Sequence, residues 1–185
     1  MTPHIETISG ALVNVFAPDP ATICIEDIAH GLAMQCRFGG HVMDFYSVAQ
    51  HSVIMSRMVP KPHALAGLLH DAAEAYLVDL PTPIKKRMPE FEMVEKRLLK
   101  VIFERFGVRW PMPPVIAEKD RYLMLHEAAC LKPTSVSFEQ PKGARVAFSQ
   151  ISSPTLAKKV FLNRFRELTG SVGNEGVKRA GGRLF

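Results

Sequence analysis

The sequence predicts an all-α fold that carries a small β-hairpin at its N-terminus. Apolar residues recur at helical spacing in most segments after residue 25, whereas β-prone runs are confined to the first 25 residues. Proline and glycine clusters separate the helical segments and give each one a defined end. At 185 residues the chain is long enough for one domain with its own core, and we assign residues 1–169 to that domain.

The β-prone runs lie at residues 11–16 and 22–25, on either side of the turn sequence Pro18-Asp19-Pro20. A turn between two such runs is typical of a hairpin, so the sequence predicts that these two runs pair.

The helical pattern occurs in six segments, which cover residues 26–36, 45–58, 64–77, 90–106, 115–131 and 156–168. The third segment is apolar almost throughout, as expected of a buried helix, and the fourth and sixth are amphipathic. The sequence predicts that residues 132–152 form an irregular segment, an excursion from the helical pattern. Residues 170–185 are rich in glycine and charge, which predicts a disordered tail.

The formal net charge is +5, with Lys and Arg spread along the chain among Asp and Glu. A modest basic excess suits an anionic small substrate, a polyanion or simply a basic solvated surface. No clustered basic face is visible, so the sequence gives no indication of nucleic-acid binding.

Cysteine usage and the N-terminus indicate a cytoplasmic protein. Three cysteines, Cys24, Cys36 and Cys130, are odd in number and lack Cys-x-x-Cys spacing, which argues against both a disulfide framework and a cysteine zinc site. We find neither a signal peptide pattern nor an apolar stretch long enough for a membrane span.

His70-Asp71 is the most informative pair in the chain. It ends an apolar run at residues 64–69. An imidazole beside a carboxylate on a buried helix is costly to desolvate unless something compensates both groups. A divalent metal ion does so, because neutral imidazole and carboxylate are both good ligands for transition ions.

Further candidate ligands lie on two other predicted helices, at His51 and Asp120. Such a nitrogen and oxygen set suits Mn²⁺, Co²⁺, Zn²⁺, Fe²⁺ or Ni²⁺, with Mg²⁺ as a further candidate, and does not choose among them. Glu74 lies one helical turn from His70, where a carboxylate can act as a general base towards water. The alternatives are a hydrogen-bonded core histidine at position 51 and a Glu74 that only orients His70.

Four segments resemble the HD-domain metal-dependent phosphohydrolases, in the branch that includes small bacterial 5′-deoxynucleotidases and phage dATP triphosphohydrolases. The matching segments are Arg37-Phe38-Gly39-Gly40-His41, residues 45–52, Leu68-Leu69-His70-Asp71-Ala72-Ala73-Glu74-Ala75-Tyr76 and Asp79-Leu80-Pro81-Thr82-Pro83-Ile84-Lys85. They cover about the first two thirds of the chain. The resemblance implies a single helical bundle and a metal-dependent phosphohydrolase acting on (deoxy)nucleotides.

The resemblance also implies roles for individual residues. These are metal binding by His51, His70, Asp71 and Asp120, catalysis by Glu74 with Asp79 near the sugar or scissile phosphate, and phosphate binding by Arg37. Relatives commonly assemble, so a homo-oligomer is expected.

The chain departs from the deoxynucleotidase pattern, because Phe38 replaces the tryptophan that follows the arginine there. His41 and Lys85, with Lys86, are placed to meet further phosphates, which favours a dNTP (dATP-type) triphosphohydrolase. The alternative for His41 is a hydrogen bond to nearby backbone, and for the lysines a solvated charge pair. The alternatives are a 5′-deoxynucleotidase acting on dNMPs, a cyclic-nucleotide or signalling-nucleotide hydrolase of the same superfamily, and a non-catalytic nucleotide-binding protein.

Overall fold

The structure, a computed structural model, describes residues 3–132 and 152–170. Its regular elements in chain order are β1 (His4–Glu6), β2 (Leu12–Asn14), α1 (Ile25–Met34), α2 (Val48–Met58), α3 (Ala64–Leu69), α4 (Glu74–Leu77), α5 (Thr82–Lys85), α6 (Pro89–Arg105), α7 (Pro114–Leu131) and α8 (Pro154–Thr169). The predicted all-α fold with a small N-terminal hairpin is confirmed. Most of the predicted excursion at 132–152 and the predicted tail lie outside the described residues.

The hairpin uses a different pair of strands from the predicted one. β1 pairs antiparallel with β2, with Ile5 opposite Val13, so residues 12–14 pair with the segment before them. The turn passes through Gly10, whose φ of 84° suits glycine. The predicted second strand at 22–25 was wrong, because the side chain of Asp19 caps a short 3-10 turn over Pro20–Thr22.

The core lies where α1, α2, α3 and α8 pack on one another. Each contributes apolar side chains that are fully buried, among them Leu32, Met55, Leu68 and Phe161. The amphipathic pattern of α6 buries Leu98, Leu99, Ile102 and Phe103. Burial of each such side chain contributes about 1.5–3 kcal/mol, so this packing holds together the helices that carry the site.

The predicted continuous helix at 64–77 was wrong, because it is interrupted after Leu69. The carbonyl of Leu69 accepts from the amide of Ala72, and that of Asp71 accepts from the amide of Glu74, so the chain tightens to three-residue spacing. The Nδ1 atom of His70 also lies 2.9 Å from the carbonyl oxygen of Gly67. His70 and Asp71 therefore lie in a turn between two helices rather than within one.

The backbone just before Asp79 is strained. Val78 has φ 70° and ψ 154°, a region that β-branched residues avoid. The Gln35 side chain holds the segment in place. It donates to the carbonyl of Glu74 at 2.8 Å and accepts from the amide of Asp79 at 2.9 Å. The end of α1 thereby fixes the position of Asp79.

We expect Gly31→Ala to destabilise the protein by about 1–3 kcal/mol, because α1 and α4 touch at this glycine. A Cβ there would lie 2.7 Å from the carbonyl oxygen of Ala75 and 3.0 Å from its Cα. In an open helix the same change would stabilise by about 1 kcal/mol, so urea unfolding gives opposite signs for the two cases. Met34→Ala on the same helix, at a 59% exposed position, is the control and should change little.

All three cysteines are free thiols. Within the described ranges, no helix combines the length and the apolar character needed to cross a bilayer.

Candidate metal centre and active site

Three side chains from separate elements bring their ligand atoms together. His51 lies on α2, His70 in the turn after α3, and Asp120 on α7. The Nε2 atom of His51 is 3.1 Å from Nε2 of His70 and 3.1 Å from Oδ1 of Asp120. All three ligand atoms lie within 4.8 Å of one another, so this group can hold a metal ion. The Oδ2 atom of Asp71 is 3.5 Å from the His51 nitrogen and 3.2 Å from the His70 nitrogen.

Both imidazoles are oriented through their other ring nitrogen. The Nδ1 atom of His51 lies 2.7 Å from Oε1 of Glu127, and Nδ1 of His70 faces the Gly67 carbonyl. Because carboxylate and carbonyl oxygens only accept, each Nδ1 carries a proton, and Nε2 of a neutral ring has a free lone pair. Two such lone pairs 3.1 Å apart repel unless a cation lies beside both.

That separation fits a transition ion. Two imidazoles bound at about 2.1 Å and at right angles would have their nitrogens about 3 Å apart. The donor set and its spacing therefore suit a divalent cation, and carboxylates stand on the same cluster to balance its charge.

A proton can take the same place in the metal-free protein. Burial and the charge of Arg37 disfavour protonated His51, but the carboxylates of Glu127 and Asp120 outweigh them and raise the pKa of His51 to about 9. Burial alone would raise the pKa of Asp120, but hydrogen bonds with His51 and His70 hold it well below its usual range. A metal ion entering at neutral pH therefore displaces a proton from His51.

Glu127 on α7 lies at the centre of a buried polar network. Its Oε1 atom lies 2.7 Å from Nδ1 of His51 and accepts from the Tyr46 hydroxyl at 2.8 Å, while Oε2 accepts from Nε of Arg37 at 3.0 Å. The residue is 0% exposed. Burial alone would raise its pKa, but Arg37 and His51 lower it below the usual range, so the carboxylate stays ionised.

Glu74 is a buried carboxylate with one uncommitted oxygen. Among the described residues the Oε2 atom has no hydrogen-bond partner, and Oε1 lies 3.4 Å from Nζ of Lys85. Burial, followed by the charges of Asp71 and Asp79, raises the pKa of Glu74 above its usual range. A carboxylate with a raised pKa is a stronger base than an exposed one, which suits proton transfer from water.

A cavity of about 560 Å³ lies against this cluster. Its lining residues are Arg37, Asp71, Glu74, Asp79, Leu80, Thr82, Lys85, Lys86, Asp120, Arg121, Met124 and Leu125. Four carboxylates and four cationic side chains are among them, together with an apolar wall. The volume is that of a small-molecule site.

Arg37 lies deep in this cavity and is only 8% exposed. Its Nε atom donates to Glu127, and Nη1 lies 3.6 Å from Oδ2 of Asp71. The Phe38 ring packs beside it, with the Arg37 Cζ 5.5 Å from the ring centroid. Nε is committed to Glu127, whereas Nη1 approaches Asp71 only to 3.6 Å, which is beyond hydrogen-bond distance, so the Nη end of the guanidinium is the free end that can bind an anion.

The chain is similar to two curated bacterial proteins. It is 41% identical to Uncharacterized protein YfdR of Escherichia coli over 118 residues. This aligned stretch covers 64% of this chain and 64% of that protein. It is 36% identical to an uncharacterized protein of Rhodobacter capsulatus over 119 residues, and this aligned stretch covers 59% of this chain and 61% of that protein. No protein-family model matches the chain. Neither relative's name carries an activity, so the chemistry has to be argued from the site.

The other sequence-predicted site residues lie in different surroundings. Asp79 lines the cavity, and burial raises its pKa even though Arg37 opposes this. Lys85 also lines it, but its Nζ lies 2.7 Å from Oε1 of Glu95 as well as near Glu74. His41 is exposed and is not among the lining residues.

Two residues of the site were missed by sequence reasoning. The position of Glu127, about two turns after Asp120, allows a contact with a metal ligand, but the sequence favours a surface or helix-packing role for it, and the sequence-based site prediction does not include Arg121. A signal for Arg121 was available, because it directly follows Asp120. Glu127 lies two turns beyond Asp120 on the same helix, and that spacing was the only local hint.

Proposed function

We propose that the protein is a metal-dependent phosphohydrolase that acts on (deoxy)nucleotides. The observation that carries this proposal is the pair of His Nε2 atoms 3.1 Å apart, beside a buried carboxylate whose Oε2 has no hydrogen-bond partner among the described residues. Hydrolysis of a phosphate ester or anhydride is catalysed by a bound cation, a general base and a cationic side chain that binds the phosphoryl oxygens, and this site offers a residue set for each.

The charge of the cavity supports an anionic substrate. Its four carboxylates are matched by four cationic side chains, so a bound divalent cation would make the site net positive. Leu80, Met124 and Leu125 supply an apolar wall on which a nucleoside could pack. Together these features suit a molecule with a phosphate at one end and a flat apolar group at the other.

In this proposal His51, His70, Asp71 and Asp120 would hold the metal ion. When bound, such an ion polarises a phosphoryl oxygen and acidifies water. The free end of Arg37 binds the remaining phosphoryl oxygens through charge-assisted hydrogen bonds.

Glu74 accepts the proton of the attacking water through Oε2 as the new oxygen–phosphorus bond forms. Asp79 also lines the cavity, and in this proposal its carboxyl group relays a proton to the oxygen of the leaving group as the old bond breaks. Lys85 pairs with Glu74 and Glu95, and its role is to hold Glu74 rather than to meet substrate.

A triphosphate is the favoured substrate because two cavity cations remain uncommitted. Lys86 and Arg121 line the cavity, and neither forms an ion pair within the described part of the chain. A monophosphate is the second candidate. Two of the groups expected to bind a longer phosphate chain are not available for it. His41 does not line the cavity, and Lys85 forms ion pairs.

The test is product analysis on metal-stripped protein to which Mn²⁺, Co²⁺, Zn²⁺ or Mg²⁺ is added singly. Each dNMP is paired with its dNTP. We expect metal-dependent release of nucleoside and tripolyphosphate from a dNTP. Lys86→Ala with Arg121→Ala should raise KM for the dNTP and leave that for the dNMP unchanged.

Other outcomes give other assignments. Nucleoside and phosphate from dNMPs alone would make the protein a 5′-nucleotidase. Nucleotide binding without turnover under every metal would contradict the enzyme and support the binding-protein reading.

A further inference from the structure

Glu127 lies outside the cavity, yet it contacts two groups that the cavity chemistry needs. It does not line the cavity, so it cannot touch substrate. Its two oxygens instead reach His51, through Nδ1, and Arg37, through Nε. The proposed cation site and the proposed anion site therefore share one buried carboxylate.

The bond to His51 sets which nitrogen faces the cation. An imidazole whose Nδ1–H donates to a carboxylate must present Nε2 as its lone pair. If Nδ1 had no acceptor, the neutral ring could carry its proton on Nε2, and that nitrogen could not bind a metal ion. The 2.7 Å contact removes this freedom.

The bond to Arg37 sets how the guanidinium is presented. With Nε held at 3.0 Å by Glu127, the Nη groups are the N–H donors of Arg37 that remain for an anion, and Arg37 lines the cavity. The Tyr46 hydroxyl donates to the same oxygen that faces His51 and keeps the carboxylate plane fixed.

We propose that Glu127 is a positioning residue that orients both halves of the site, turning Nε2 of His51 towards the cation and the free end of Arg37 towards the phosphate. This inference rests on the proposed function. It predicts that cation affinity and phosphate affinity fall together when Glu127 is changed, although neither ligand touches it.

Glutamine at this position cannot serve all three donors. If its amide nitrogen faces His51, the ring must accept at Nδ1 and carry its proton on Nε2. If the nitrogen faces Arg37, two donors oppose each other and the guanidinium is displaced. Either arrangement disturbs one half of the site.

The test uses the full chain labelled with ¹⁵N-histidine and loaded with Zn²⁺. In the wild type, long-range ¹H–¹⁵N NMR should find the His51 proton on Nδ1 and shifted downfield by its carboxylate partner. Glu127→Gln should lose that resonance and bind Zn²⁺ about 10–100-fold more weakly by competition titration. At saturating Zn²⁺ it should also bind inorganic phosphate more weakly than the wild type.

Three variants complete the design. Tyr46→Phe keeps the carboxylate and should keep the wild-type resonance. Glu127→Asp keeps the charge and should recover part of the Zn²⁺ affinity. Glu118→Gln lies on the same helix, at a side chain 69% exposed, and should match the wild type in every measurement.

A folded Glu127→Gln with wild-type affinity for both Zn²⁺ and phosphate would overturn the proposal. If that variant does not fold, the wild-type spectrum decides, because a His51 proton on Nε2 would also overturn it. Zn²⁺ binding with the Glu127 effect but without nucleotide hydrolysis would support the positioning role and count against the phosphohydrolase. Nucleotide hydrolysis that is unaffected in Glu127→Gln would support the phosphohydrolase and count against the positioning role.

Discussion

Glu74→Gln is expected to lower kcat for nucleotide hydrolysis by roughly 10²–10⁴-fold, the usual contribution of a positioned general base. The amide keeps the shape of the side chain but cannot accept a proton from water. Glutamine has nearly the same size and removes a buried charge rather than adding one, so the change should not weaken the fold. Single-turnover kinetics at saturating metal measures the effect on the chemical step.

Glu90→Gln provides the matched control, because Glu90 is exposed on α6 and does not line the cavity. It should retain the wild-type rate. Metal affinity should be unchanged in both variants. If Glu74→Gln kept about a tenth or more of the wild-type kcat, Glu74 would not be the base, because such a residue contributes more than that.

His70→Ala is expected to weaken divalent cation binding by more than about 100-fold. Loss of an outer hydrogen-bond partner alone costs about 10–100-fold, and loss of a ligand should cost more. The imidazole of His70 supplies one of two facing nitrogens, so its removal breaks the pair. Isothermal titration with Co²⁺ or Zn²⁺ measures the affinity, and the rise of Tm on adding the metal should disappear.

His63→Ala is the control for this experiment. His63 lies in the short turn before α3, outside the cavity. It should bind metal like the wild type. Wild-type affinity in His70→Ala would show that the cation, if bound, is held elsewhere.

Only part of the candidate metal-binding group was predictable from local sequence. His70 and Asp71 stand out because charged or polar neighbours at the end of an apolar run need a partner. His51 and Asp120 were harder, since each is an ordinary residue on its own helix. The resemblance connected them, and the structure brings His51, His70 and Asp120 within one cluster.

The sequence did not predict which side chains from separate helices contact one another. Lys85 was expected to meet phosphate, but Glu95, ten positions further on and on α6, forms an ion pair with it. Glu127 finds its three partners on α2 and in the segment before it, which no local pattern encodes. Such pairings depend on how helices pack, and helical periodicity reports only which face is buried.

The fold was predictable as a class, and less so in its details. Hydrophobic periodicity predicted the ends of the long helices to within a few residues. It missed the break after Leu69, because a side chain that binds a backbone carbonyl leaves the apolar pattern unchanged. The hairpin pairing was missed because two β-prone runs predict strands without choosing the partner.

Contact with Glu127 spans 76 positions to His51, 81 to Tyr46 and 90 to Arg37. Closing loops of that length has an entropic cost that local helix contacts do not offset, so the network forms only when α7 docks on the preceding helices. A chain that stopped before α7 would bury Arg37 without its carboxylate partner and would lack Asp120. Loss of α7 would therefore remove a candidate cation ligand and the Glu127 partner of Arg37 in the same event, which couples ligand binding to global rather than local unfolding.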